Sequence, residues 1–190
     1  MFPDSKVTQL RDVNTTDIVD AIRLGCHTMQ NVFNADDGDI PYFRVRVRPD
    51  VFLGMSLEEH IPGRHLNGLL NAEDAAGVEV DEEAIDKHTL AAFFSFSGSL
   101  PLPKQRIDYQ GDPVTFNDHN VREGFHALYS LVKYRRSSQA FDLAEASIKA
   151  VMDYYVANGA WDTGRMEREH GVAVNTDRTF IEGVARCIGP

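Results

Sequence analysis

The chain has 190 residues, 43% of them apolar and 25% charged, the length and balance of a single globular domain over 1–190. A formal net charge of −10 repels phosphate backbones and anionic bilayers, which makes nucleic acid and lipid surfaces poor partners. No apolar run approaches the roughly 18 residues that cross a bilayer, and Cys26 and Cys187 show neither metal-ligand spacing nor a disulfide framework. The opening MFPDSKVTQLRDV lacks an apolar signal core, so the expected compartment is the cytoplasm unless a leader has been removed.

In chain order, Thr15-Thr16-Asp17 is an N-cap signal for an amphipathic helix to about Asn34, with Ile18, Ile22, Cys26, Met29 and Phe33 at 3- and 4-residue steps. The acidic turn Ala35–Asp39 lacks the ligand register of a calcium loop and reads as solvated. Residues 40–53 alternate apolar and basic, a short extended segment with Arg44, Arg46 and Arg48 on its second face. A helix over 62–77 follows, then one over 81–95 whose stripe is Ile85, His88, Leu90, Ala91 and Phe94 and whose Asp81-Glu82-Glu83 start suits the positive helix end. The Pro- and Gly-containing stretch 97–117 reads as a long loop, followed by a helix over 118–136. Ser137-Ser138 separates this from a helix over 139–157 with Phe141, Ala144, Ile148, Val151, Met152 and Tyr155 as its buried stripe. Residues 159–177 read as a second loop and 178–188 as a last helix.

Three of these helices share a pattern: PGRHLNGLLNAEDAAG (62–77), DHNVREGFHALYSLVKY (118–134) and DRTFIEGVARCIGP (177–190), aligned at Gly68, Gly124 and Gly183. Each carries a polar strip at positions −4 and −1 before its glycine: Arg64 and Asn67, Asn120 and Glu123, Thr179 and Glu182. A glycine inside a helix costs about 1 kcal/mol relative to alanine, so its recurrence points to close helix approach. The glycine helices are apolar around most of their circumference and are expected inside. The helices at 15–34, 81–95 and 139–157 have one charged face each and are expected outside. The implied class is all-α, a series of repeated helical hairpins.

PYFRV followed by these repeats resembles the (α/α)6 toroid of the six-hairpin glycosidase superfamily. The resemblance implies that the chain is the N-terminal half of a larger toroid, or a half completed by a second copy, since three hairpins are visible where six are called for. It also implies a carbohydrate substrate, cleaved by a glycoside hydrolase or polysaccharide lyase in a bowl at the N-terminal ends of the inner helices. The alternative is a non-catalytic α/α repeat module that binds a protein partner on its concave face.

Helix N-termini offer unpaired N–H groups and positive potential, and two carboxyls at a fixed separation can protonate a glycosidic oxygen and activate water. The residues at that level are His60, Arg64 and His65, then Asp118, His119 and Glu123, then Asp177 and Glu182. Asp118, His119 and Glu123 form the expected catalytic set, with Arg64, His65, Tyr109 and Trp161 binding substrate. Each also has a structural reading: Asp118 and Asp177 as caps, His65 as a core histidine, Tyr109 and Trp161 as covers of the helix ends, and Glu123 as the buried partner of Arg64. If Glu123 titrates, burial should raise its pKa. No cofactor and no metal constellation is expected from the sequence.

Overall fold

The computed structural model describes residues 17–43, 45–46, 52–53, 58–108, 110–156 and 160–175. These are mostly helical: α1 (Ile18–Met29), α2 (Ile61–Ala76), α3 (Glu82–Ser95), α4 (Val121–Arg135), α5 (Ser138–Tyr154) and α6 (Thr163–His170). Short strands fill the connections: β1 (Phe33–Asn34), β2 (Ile40–Pro41), β3 (Val45–Arg46), β4 (Phe52–Leu53), β5 (Lys104–Arg106), β6 (Pro113–Phe116), β7 (Tyr155–Val156), β8 (Ala160–Trp161) and β9 (Ala173–Val174).

Local chemistry sets the helix ends. Asp17, Asp81 and Ser137 each accept hydrogen bonds from first-turn backbone N–H groups of α1, α3 and α5. Pro62 stands in the first turn of α2, where its missing N–H costs nothing, and Gly77 ends that helix at φ 59°. A 3-10 turn over Asp118–Asn120 leads into α4. Its cap is Asn117, which accepts from His119 N–H, so the capping role expected of Asp118 belongs to its neighbour.

The centre of the fold is the pair α2 and α4. Their contacts run in register from one end to the other: His60 with Asn120, Arg64 with Glu123, Asn67 with Ser130, Asn71 with Tyr134, Glu73 with Arg135. The two helices therefore lie side by side and parallel, with both N-termini at one end. The glycine that permits the approach is Gly63, where an added Cβ would fall 1.8 Å from the Glu123 carbonyl oxygen. The aligned glycines have other neighbours: Gly68 faces Met29 of α1, and Gly124 faces Phe96 and Pro103.

Two apolar clusters hold the molecule. One joins Cys26, Leu66, Leu69, Leu70, Ile85, Phe96, Leu128 and Leu131 from α1 to α4. The other joins Leu100, Leu102, Phe116, Val121, Tyr154, Trp161 and Met166, and Phe125 packs against both. The inner position of α4 relative to α5 is as expected, since α4 buries Val121, Glu123, Gly124, Ala127, Leu128, Ser130 and Leu131. On α5 the expected stripe is rotated. Phe141, Ile148 and Met152 are exposed, and the helix docks through Ala140, Ser147, Ala150 and Tyr154. Small residues on that face let the helix sit close, and Ser147 donates a hydrogen bond to the Pro101 carbonyl. On α3, Leu90 faces solvent while Ala84, Ile85, His88, Ala91, Ala92 and Ser95 are buried.

Both stretches read as loops contain regular structure. Residues 97–117 hold the antiparallel pair β5–β6, whose register shifts between Gln105 and Arg106, and β9 joins β6 in parallel. Residues 160–175 contribute β8, α6 and β9. The expected helix 178–188, with Asp177, Glu182 and Gly183, lies outside the described residues. So do Arg44, Arg48, Tyr109 and Cys187.

Candidate functional site

The parallel register of α2 and α4 brings two histidines, two arginines and a carboxylate to one end of the pair. Glu123, in the first turn of α4, is 1% exposed. Its Oε1 accepts from Arg64 Nη2 at 3.0 Å and Nε at 3.3 Å, and from Arg122 Nη2 at 2.5 Å. Burial alone would push its pKa up. The hydrogen bonds from Arg122 and Arg64 outweigh that push and hold the carboxyl below its usual range, which corrects the expected upward shift. Glu123 is an ionised carboxylate clamped by two guanidinium groups, and its Oε2 is buried with no hydrogen-bond partner. The buried pairing with Arg64 foreseen as its structural reading is present, with Arg122 added.

His60, immediately before α2, is held by a chain that begins at Glu59. Asn120 Nδ2 donates to Glu59 Oε1 at 3.1 Å, which turns the Asn120 Oδ1 toward His60 Nδ1 at 3.0 Å. The acceptor on Asn120 makes Nδ1 the protonated nitrogen and leaves Nε2 with its lone pair. Burial lowers the pKa of His60, against the bond to Asn120, so the ring is neutral at pH 7. Glu59 itself is 3% exposed, and burial, reinforced by the charge of Glu58, pushes it up to about 8. The site thus pairs a carboxyl that keeps its proton with one that has lost it, the separation that acid–base chemistry uses. The half-buried His119 stacks on His60 with ring centroids 5.2 Å apart and planes 30° apart, and Phe43 meets His60 edge-on at 5.7 Å.

Of the residues proposed from sequence, His119, Glu123 and Arg64 therefore meet at this end, and Asp118 is buried in the turn before α4. His65 points elsewhere. It packs edge-on against His88 of α3 at 4.9 Å, and burial lowers its pKa to about 4. Trp161 lies in the second apolar cluster, 8% exposed, with Phe116 at 4.9 Å and Tyr155 at 5.3 Å. Its indole is a core group, with no face open for a sugar. The sequence reading did not single out Glu59 or Arg122, and it placed Asn120 only on the polar strip of its helix, without a site role. The glycine alignment, which sets Arg64 against Asn120, did not reveal them: in the structure Asn120 meets His60 and Glu59, and Arg64 meets Glu123.

His60, His119 and Glu123 each offer a ligand atom within 4.8 Å of the others, a set the sequence did not suggest because its members are far apart in the chain. Two guanidinium groups on the same carboxylate make the surroundings cationic, so an added divalent ion would meet repulsion. The set fits proton transfer and anion contact better than metal binding.

Comparison of the chain with protein-family models, with curated proteins and with solved structures returns no match.

Proposed function

We propose that this chain forms part of an (α/α)6-type toroid and acts on carbohydrate, as a glycoside hydrolase or polysaccharide lyase, at the N-terminal end of the α2–α4 pair. The observation that supports this best is the convergence of two stacked histidines and an ionised, doubly anchored carboxylate at one end of two parallel inner helices. His119, the more open of the two rings, is the proton-transfer group. His60 is the fixed ring behind it, oriented by Asn120. Glu123 fixes the two guanidinium groups in place, and Arg64, half-exposed, meets the polar groups of the substrate.

The test compares His119→Ala with the parent on a panel of aryl glycosides and unsaturated uronides. Turnover should fall by ~10²–10⁴-fold, the usual loss of a general acid or base, while the melting temperature stays unchanged because the side chain is only half-buried. Glu123→Gln should lower both turnover and melting temperature, because it removes the charge that holds Arg64 and Arg122. A parent protein without turnover on any panel member would sink the enzyme reading. The alternative, a non-catalytic helical-repeat module with a protein partner, would then be preferred. Its specific support is the exposed row Phe141, Ile148 and Met152 along α5.

A further inference from the structure

A second group of reactive side chains lies where the end of α6 meets the segment after α3, and it shares no residue with the α2–α4 site. Ser99 is exposed beside Gly98, which takes φ 88°. Ser99 Oγ stands 2.8 Å from His170 Nδ1, and His170 Nε2 stands 2.6 Å from the Tyr154 hydroxyl. That hydroxyl donates to Glu169 Oε2 at 2.7 Å. Glu169 is fixed in turn, since Arg165 Nε donates to its Oε1 at 2.9 Å and the same guanidinium lies over the Tyr154 ring.

The donor sequence fixes the tautomer. The Tyr154 proton is committed to the Glu169 carboxylate, and burial with the Glu169 bond pushes the phenol up to about 12, so it keeps that proton at neutral pH. The Tyr154 oxygen can then only accept from His170, which places the imidazole proton on Nε2. Nδ1 is left as the acceptor, and the hydrogen on Ser99 Oγ points into it. A hydroxyl bonded to a base that is itself oriented by a third group is the arrangement of an activated nucleophile.

Ser99 and His170 line a cavity of about 390 Å3 whose walls include Leu100, Val114 and Val172. Lys104 lines the same cavity. It is 3% exposed, and its ammonium donates to the Leu100 and Leu102 carbonyls. The cavity therefore offers apolar wall, one buried cation in Lys104, one exposed carboxylate in Asp112 and one serine with a base, at a size suited to a small ligand.

We propose that Ser99 is a nucleophile with His170 as its base, Tyr154 and Glu169 as positioning residues, and that the cavity takes a short-chain carboxylic ester. Ser99 Oγ attacks the ester carbon as its proton passes to His170 Nδ1. The bond to the alcohol oxygen then breaks, and that oxygen takes the proton from His170. Water, deprotonated by His170 in its turn, attacks the acyl-serine and releases the carboxylic acid, and Ser99 recovers its proton. No redox partner or cofactor enters the balance.

The experiment treats the full chain with a reporter-tagged fluorophosphonate, locates the adduct by peptide mass spectrometry, and follows p-nitrophenyl acetate hydrolysis. The expected result is a single adduct on Ser99, absent in Ser99→Ala, with labelling and hydrolysis slowed by ~10²–10⁴-fold in His170→Ala. Ser99 is exposed, so its variant should melt with the parent. Tyr154→Phe keeps the ring but removes the acceptor for the imidazole Nε2–H. The midpoint of the pH–rate profile should move in that variant, which a purely structural loss would not do. No adduct on Ser99, or labelling of equal rate in His170→Ala, would overturn the proposal. Neither outcome bears on the carbohydrate reading, which is measured at other residues with other substrates.

Discussion

Gly63 is the residue on which the inner helix pair depends. A methyl group there would have to occupy the position of the Glu123 carbonyl oxygen, and that atom belongs to a helical backbone that cannot step aside. Overpacking in a core usually costs about 1–3 kcal/mol, and a backbone obstacle belongs above that range. At Gly68 the neighbour is the end of the Met29 side chain, 3.2 Å from the added Cβ, which can rotate away. Alanine also gains about 1 kcal/mol over glycine in a helix. Urea unfolding should therefore show Gly63→Ala destabilised by more than ~3 kcal/mol and Gly68→Ala close to the parent. Equal midpoints for the two variants would remove Gly63 from its role. The site shares this dependence, because the carbonyl in question belongs to the residue that anchors Arg64 and Arg122.

At the scale of elements, His88 joins α3 to the end of α1 through a 2.9 Å contact between its Nε2 and the Met29 carbonyl, with Phe33 and His65 against its ring. Burial lowers its pKa to about 3, the Met29 bond opposing and the nearby His65 adding, and burial lowers His65 to about 4. The unfolded chain, with ordinary histidines near 6.5, takes up protons that the folded chain refuses. The stability these groups contribute is complete above about pH 6.5 and is lost as pH falls from there toward 4 and then 3. Each group contributes at most about 1.4 kcal/mol per pH unit across its interval. His88→Gln should lower stability at pH 7 yet flatten its decline in acid. A parallel decline in parent and variant would reject His88 as a source. The pairing of α3 with α1 was legible only in part: the spacing of Ile85, His88 and Ala91 announced a helix with a buried side, but not what that side would touch. The starts of α1, α3 and α5 were readable because Asp17, Asp81 and Ser137 are strong local caps, whereas α1 stops at Met29, short of the expected Asn34, and Phe33 belongs to β1. The β5–β6 pair was hidden because Pro101, Pro103, Gly111 and Pro113 carry the marks of a loop, while the order comes from the distant burial of Leu100, Leu102 and Phe116. Helix α6 was hidden for a related reason. In TGRMEREH only Met166 is buried, so no periodic stripe exists to be seen. In the site, Glu123 and Arg64 were legible as helix neighbours. The Asn120 bridge needed the three-dimensional register of two helices.

At the scale of the whole molecule, Arg106 ties three separated stretches together. From β5 it donates to Asp37 Oδ1 and Oδ2, both at 2.8 Å, and to Glu58 Oε2 at 3.1 Å, and its backbone N–H reaches Glu58 Oε1 at 2.7 Å. The side chains are 8%, 3% and 1% exposed. Replacing Arg106 by leucine keeps bulk but leaves two buried carboxylates without their cation, a change that costs ~3–5 kcal/mol when one partner of a buried pair is lost. Chemical denaturation of Arg106→Leu should show that loss, and it should shrink at low pH where the carboxyls can protonate. A variant as stable as the parent at pH 7 would mean that water already reaches the group.

The two apolar clusters meet through Phe125, and the lone tryptophan, Trp161, belongs to the second of them. Indole emission therefore reports on one side of the molecule, whereas far-ultraviolet ellipticity is dominated by helices of the other. If the second cluster opens on its own, as a cooperative unit of lower stability, the two signals will follow different curves on heating, and amides of β6 and α6 will exchange with solvent sooner than those of α2. A protein of this size would then behave as two linked units in spite of its single chain, with the benzyl group of Phe125 setting how strongly one informs the other.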